Sequence, residues 1–183
     1  MTYQALINGA RGLIYFGGNV EQAMTPEDAK LGWNWTFWRR ILRPVLEEVG
    51  NNSPLAPALV APDSKLPVRV CATAETAKNP EAQIQSQISA GSASSAVKYR
   101  GADDVEFCVR EVNGDIYILA CKREGQTVEA EFSGLPDRAG KGQVMYESPR
   151  TIQAKNGKFT DWFAPFDVHV YCFRRNQKTQ TTN

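Results

Sequence analysis

The sequence predicts an α+β chain: a helix–strand–helix segment over residues 1–50, a proline-rich connector over 51–67 and an antiparallel β-sandwich over 68–175. Three observations carry this reading. Near residue 62 the text changes from long apolar runs to short alternating strands broken by Gly, Pro and Asn, the pattern of a sandwich. Three of the four tryptophans, Trp33, Trp35 and Trp38, fall on one helical stretch before that point. Asn113-Gly114 stands between two alternating apolar runs, a strong hairpin signal.

Taken in order, Tyr3 to Asn8 reads as helical turns closed by Gly9, which accepts the left-handed conformation at a helix end. Leu13 to Phe16 are apolar without alternation, so Gly12 to Phe16 is expected to be a strand buried on both faces, as in a parallel sheet. Gly17, Gly18 and Asn19 end it. Thr25, Pro26 and Asp28 supply a cap, a residue suited to the first helical position and a favourable charge for a helix start. Leu31, Trp35, Trp38, Leu42, Val45 and Val49 follow at spacings of three and four. Pro44 lacks a backbone donor and should kink that helix or split off Pro44 to Val49 before Gly50.

The connector holds Pro54, Pro57, Pro62 and Pro67 and is expected to be extended, with a first strand at Ala58 to Ala61. Val68 to Ala72 reads as the next strand. Residues 76–96, rich in Ala, Ser and Gln without a clean period, read as a loosely ordered insertion. Beyond them, Val105 to Val112 and Asp115 to Cys121 flank the Asn-Gly turn. A two-residue turn pairs Val112 with Asp115, Val109 with Ile118 and Phe107 with Ala120 on a core face. Glu106, Arg110, Tyr117 and Cys121 occupy the opposite face, mixed enough to meet solvent or a light cover. Val128 to Phe132 and Gln143 to Glu147 are further strands. Arg150 to Gln153 and Phe159 to Phe163 bracket Lys155-Asn156-Gly157 as a second hairpin, Asp167 to Arg174 closes the set, and residues 176–183 form a disordered tail.

Composition narrows the function classes. With 21 Lys plus Arg against 20 Asp plus Glu the formal net charge is +1, which argues against an electrostatic nucleic-acid binder or a polybasic membrane binder. No apolar run approaches the roughly 18 to 20 residues of a membrane span. Cys71, Cys108, Cys121 and Cys172 are scattered, and with the single His169 they offer no zinc-ligand spacing, so no metal and no cofactor is expected. Free thiols behaving as small hydrophobes are the simplest account of Cys108 and Cys172.

Tyr3-Gln4-Ala5-Leu6-Ile7-Asn8-Gly9-Ala10-Arg11-Gly12-Leu13-Ile14-Tyr15-Phe16 resembles the seventh helix and eighth strand of the (β/α)8 barrel in retaining glycoside hydrolases. The helix Pro26 to Val49, with its Arg43-Pro44-Val45-Leu46 end, looks like the last barrel helix. Phe132-Ser133-Gly134-Leu135-Pro136 and the stretch from Phe159 to Tyr171 are similar to the β-sandwich that follows such barrels. The resemblance implies that residues 1–50 are the end of a barrel. It also implies that the acid/base and nucleophile carboxylates, at the ends of strands four and seven in that family, lie upstream of this chain. Met1 then looks like an internal methionine or a truncated gene start, and the chain like an inactive C-terminal fragment of a protein that hydrolyses glycosidic bonds. A barrel needs about 250 residues. With about 60 before the sandwich, the barrel-end segment has unpaired edges and is expected to dock on the sandwich, self-associate or stay loosely ordered.

No catalytic set emerges from the residues themselves. Phe16 and Asn19 stand at the strand's C-terminal end and Glu21 in the loop behind it, where barrels build their sites; these three are the candidates for contact with carbohydrate. Otherwise Phe16 packs, Asn19 serves the turn and Glu21 is solvated, and a lone carboxylate cannot run the two-step displacement, which needs two about 5 to 5.5 Å apart. The helical spacing of Trp33, Trp35 and Trp38 favours core packing over a sugar platform. His169 and Asp161 lack a nucleophile partner, which leaves His169 as a surface or interface residue. Asn34-Trp35-Thr36 and Asn51-Asn52-Ser53 match glycosylation sequons, without a secretory context to use them. A reading of a different class makes the chain an autonomous sandwich module that binds carbohydrate or protein.

Overall fold

A computed structural model describes residues 1–15, 38–72 and 105–175. Two antiparallel sheets face each other. One has three strands in the order β1 (Arg69–Ala72), β4 (Val128–Ser133), β7 (Phe159–Phe163). The other has five: β2 (Val105–Val112), β3 (Asp115–Lys122), β8 (Val168–Phe173), β5 (Lys141–Met145) and β6 (Arg150–Gln153). The antiparallel sandwich read from the alternating pattern is therefore present.

The β2–β3 hairpin has the register that a two-residue turn dictates: Val112 opposite Asp115, Val109 opposite Ile118 and Phe107 opposite Ala120. Asn113 (φ 53°) and Gly114 (φ 86°) both take the left-handed conformation the turn requires. Between the sheets Phe132 is fully buried, stacked on Phe159 at 4.8 Å and met edge-on by Phe107 and Tyr171 at 5.8 Å. Aromatic pairs of this kind add about 0.5–1.5 kcal/mol to their area burial. Gly142 on β5 leaves room for the ring of Phe173, whose Cε1 would lie 2.6 Å from an added Cβ.

Asn156 (φ 52°) and Gly157 (φ 71°) form the expected tight turn, closed by Lys155 and Lys158, yet β6 and β7 do not pair as a hairpin. They belong to different sheets. Pairing β7 with β4 sets Phe159 beside Phe132 and Phe163 beside Val128, all inward. A ladder with β6, whose Thr151 and Gln153 are exposed, would forfeit that burial.

The N-terminal part differs more from expectation. Helix α1 (Thr2–Ile7) ends at Gly9 in the left-handed conformation (φ 92°), as read. Residues 12–15, however, join no ladder, and Ile14 is 88% exposed. A strand without parallel neighbours has no partners for the N–H and C=O groups along its edges, so no sheet forms there. The start of the expected long helix, up to residue 37, lies outside the described residues; Trp38–Leu42 is a π-helical turn leading into α2 (Arg43–Val49), with Pro44 in α2's first turn. The change of helix type falls where Pro44 removes a donor. Ala58 to Ala61, expected as a strand, is instead the end of a short helix, α3 (Ala56–Val60), with Pro57 in its first turn and Ala61 just past its end.

The second face of the five-stranded sheet is not open. Leu119, Cys121 and Val170 form a separate cluster with Tyr3 and Ile7 of α1, Leu55, and Ala58 of α3. Arg110, on the same side of β2, is buried and ion-paired with Asp63. The Tyr3 hydroxyl donates to Glu48 Oε2 at 2.6 Å, Asn8 Nδ2 to Glu106 Oε2 at 2.7 Å, and Arg11 to the carbonyls of Leu59 and Ala61 at the end of α3.

Replacing Phe132 with Ala should cost about 3–5 kcal/mol in urea unfolding, while Trp162→Ala, on the open face of β7, should change stability by no more than about 0.5 kcal/mol. Equal losses would mean that the sandwich core is not where the structure puts it.

Candidate functional site

The chemistry-bearing side chains of the sandwich gather at one end, where β5 leaves β8. Strand β5 runs beside β8 only as far as Met145, opposite Val170. At Tyr146 the backbone turns left-handed (φ 62°), rare for a bulky residue, and the alternation breaks. Met145 joins the cluster under the helices and the Tyr146 hydroxyl lies 2.7 Å from Ser53 Oγ, both on the helix-covered side. Glu147 consequently points back to the sheet interior, toward His169.

His169 is 9% exposed, on the inner face of β8 with Tyr171 and Phe173. Its Nε2 lies 3.0 Å from the Trp162 carbonyl oxygen, so that nitrogen donates. Its Nδ1 lies 2.5 Å from Glu147 Oε1 and 3.2 Å from an Arg150 terminal nitrogen. Arg150 spans two carboxylates: Nε to Glu147 Oε2 and a terminal nitrogen to Asp161 Oδ2, both at 2.8 Å. The Tyr171 hydroxyl donates to Asp161 Oδ2 at 2.7 Å, and Asp161 Oδ1 accepts from the Trp162 amide at 3.0 Å. Phe163 meets the imidazole edge-to-face at 4.6 Å.

The electrostatics follow from this packing. Burial works against the Arg150 cation, but hydrogen bonds and charges from Glu147 and Asp161 outweigh it and hold its pKa above the ordinary guanidinium value. Burial first, then the charge and hydrogen bond of Asp161, push the Tyr171 phenol well up. Tyr171 and Arg150 are thereby held in single protonation states across the neutral range. Chemically the group is a closed network: both carboxylates are bonded to Arg150, and the imidazole is bonded to Glu147 and to the Trp162 carbonyl, so the side chains tie the corner after β5 to β6, β7 and β8.

Phe16, Asn19 and Glu21 lie outside the described residues, as do Trp33 and Trp35. Trp38, expected in the core, is 38% exposed and lines a groove of about 510 Å³ with Arg43, Leu46, Glu47 and Asn51. His169 and Asp161 do come together, but through Arg150, and His169 is interior where a surface or interface position was expected. Its placement was readable: it shares β-parity with Tyr171 and Phe173, two large aromatics that need the core. Glu147 and Arg150 carried no such signal, because they meet His169 only through the corner at Tyr146. Among the described residues no three of His, Cys, Asp and Glu are grouped to hold a metal ion, and no helix is long and apolar enough to cross a membrane. The chain matches no protein-family profile and no curated protein.

Arg150→Met should lower stability by about 2 kcal/mol at neutral pH, since it strands two partly buried carboxylates. Chemical denaturation at pH 7 checks it; a variant as stable as the unsubstituted protein would contradict the network.

Proposed function

We propose that this chain is the non-catalytic C-terminal part of a glycoside hydrolase-like protein, the parent hydrolysing glycosidic bonds and this part serving as a sandwich docked on the parent's helical layer. One observation carries the reading, namely where apolar surface remains uncovered. Among the described residues the large exposed hydrophobics of the helical part are Met1, Ile14, Tyr15, Trp38, Ile41 and Val60. The sheet beneath, by contrast, has its second face filled by α1 and α3. A helical layer that covers a sheet on one side and leaves apolar side chains open on the other is an inner layer in need of a further cover. The remainder of a barrel is such a cover, and in its absence a second copy of the chain is another, so self-association through residues 1–50 belongs to the same proposal. The sequence resemblance of residues 3–16 and 26–49 to a barrel end supports it from the other side.

The competing reading, a carbohydrate-binding module, has its own support. Trp162 (56% exposed) and Phe166 (73% exposed, φ 66°) stand out from the sandwich near the same end. An exposed indole can stack on a pyranose ring.

Sequencing the DNA upstream of the Met1 codon is the direct test. An open frame encoding βα repeats in phase with this chain is the expected result; a promoter and ribosome site immediately before Met1 would overturn the proposal. In solution the chain should release no product from chromogenic glycosides, and titration calorimetry with soluble glucans should give no heat of binding. Binding abolished by Trp162→Ala would favour the module instead.

A further inference from the structure

The outer face of the three-stranded sheet is the side of the sandwich away from the helices, because the core and the five-stranded sheet lie between them. Alternation along β4 and β7 puts Glu129, Glu131, Thr160 and Trp162 on that face, while Val128, Phe132, Phe159 and Phe163 point into the core. Trp162 stands directly opposite Glu129. Its amide donates to Asp161 Oδ1 and its carbonyl accepts from His169 Nε2, so both backbone groups are used on the side of β7 away from β4. Trp162 and Glu129 therefore meet as a pair without ladder hydrogen bonds, the kind in which cross-strand side chains lie closest. The same two bonds fix the main chain that carries the indole.

The Glu129 carboxylate is half-buried and has no hydrogen-bond or ion-pair partner among the described residues. Lys158 reaches this face but is bonded to Glu131 at 3.0 Å. Arg69 stands opposite Ser133, four residues along β4 from Glu129, roughly 13 Å away at about 3.3 Å per residue. A carboxylate without a cation beside an uncovered indole is suited to an ammonium or guanidinium group. The face of the ring and the carboxylate attract the same charge, and the alkyl stem behind that charge lies against the ring.

We propose that Trp162 and Glu129 form a docking point for a lysine or arginine side chain of a basic polypeptide segment laid along the outer face of the three-stranded sheet. The docking reading above concerns the helical side, and this site stands or falls without it. Magnitudes favour a polypeptide over a free ion. A cation on an exposed ring gains about two- to fivefold in affinity, and an exposed ion pair about as much again, too little to retain a free ion. An extended segment adds further contacts and repeats its side chains at the two-residue rise of β4, about 6.6 Å. A second basic residue two places along then reaches Glu131, whose exposed bond to Lys158 is weak enough to exchange.

The test is a titration of the full chain, at low salt, with a capped peptide of alternating lysine and serine, followed in ¹H–¹⁵N spectra. The Trp162 indole signal, identified by its loss in Trp162→Phe, should shift and saturate with a Kd of about 1 mM or below. Read at the Thr160 amide, Glu129→Gln should weaken binding at least about threefold and Trp162→Ala at least about fivefold. Both substitutions lie on the open face, and unchanged circular dichroism checks that the fold is kept. A peptide with glutamine in place of lysine should leave both signals unmoved. No shift with the lysine peptide, or binding that Glu129→Gln and Trp162→Ala leave unchanged, would overturn the site. Saturation of the same signals by tetramethylammonium at the same concentration would overturn the polypeptide as its occupant.

Discussion

The five-stranded sheet must hide both of its faces, and most of the molecule follows from that constraint. Its central strands β3 and β8 carry apolar side chains at nearly every position: Ile116, Ile118, Tyr171 and Phe173 on one side, Leu119, Cys121 and Val170 on the other. Each such side chain is worth about 1.5–3 kcal/mol when buried, so an open second face would cost as much as a small domain's entire stability of about 5–15 kcal/mol. The three-stranded sheet covers the first side. The second is covered by α1, α3 and Leu55, which belong to the other half of the sequence, and the two halves are thereby joined.

That constraint also explains which parts of the fold were legible. The β2–β3 hairpin could be written down to the residue, because Asn113-Gly114 sets the turn and a period of two then sets every pair. The change of sheet between β6 and β7 was not legible. Asn156-Gly157 carries the same local chemistry, but the competition between pairing with β6 and packing Phe159 on Phe132 is decided by contacts distant in sequence. Ala58 to Ala61 failed for a related reason. Its apolar residues suit a strand or a short helix equally, and only the sheet surface beneath them chooses. Residues 12–15 show the converse, an apolar run that lacks the neighbours a parallel strand requires.

The site followed the same division. The inward direction of His169 was readable from its parity with Tyr171 and Phe173. The partners that define its chemistry were not, since the left-handed turn at Tyr146 swaps the faces of the residues around it and delivers Glu147 to the ring. The network joins four chain segments, the corner after β5 and strands β6, β7 and β8. Its end of the sandwich is also where Tyr146 reaches Ser53 on the helix-covered side.

The central claim, that the helical segments are an integral cover of the sheet, is tested most directly at Cys121, whose thiol lies in the cluster beneath Tyr3, Ile7 and Leu55. Burial, then the nearby Glu106 charge, pushes that thiol's pKa up to about 11, whereas Cys71 is exposed. The measurement is the rate of alkylation at Cys121 under native conditions, located by peptide mass spectrometry and followed across urea concentration. The account predicts labelling that keeps pace with global unfolding and lags Cys71 by at least about a hundredfold. Labelling of Cys121 at a rate near that of Cys71, with the sheet's circular dichroism intact, would show that the helices do not hold the face closed.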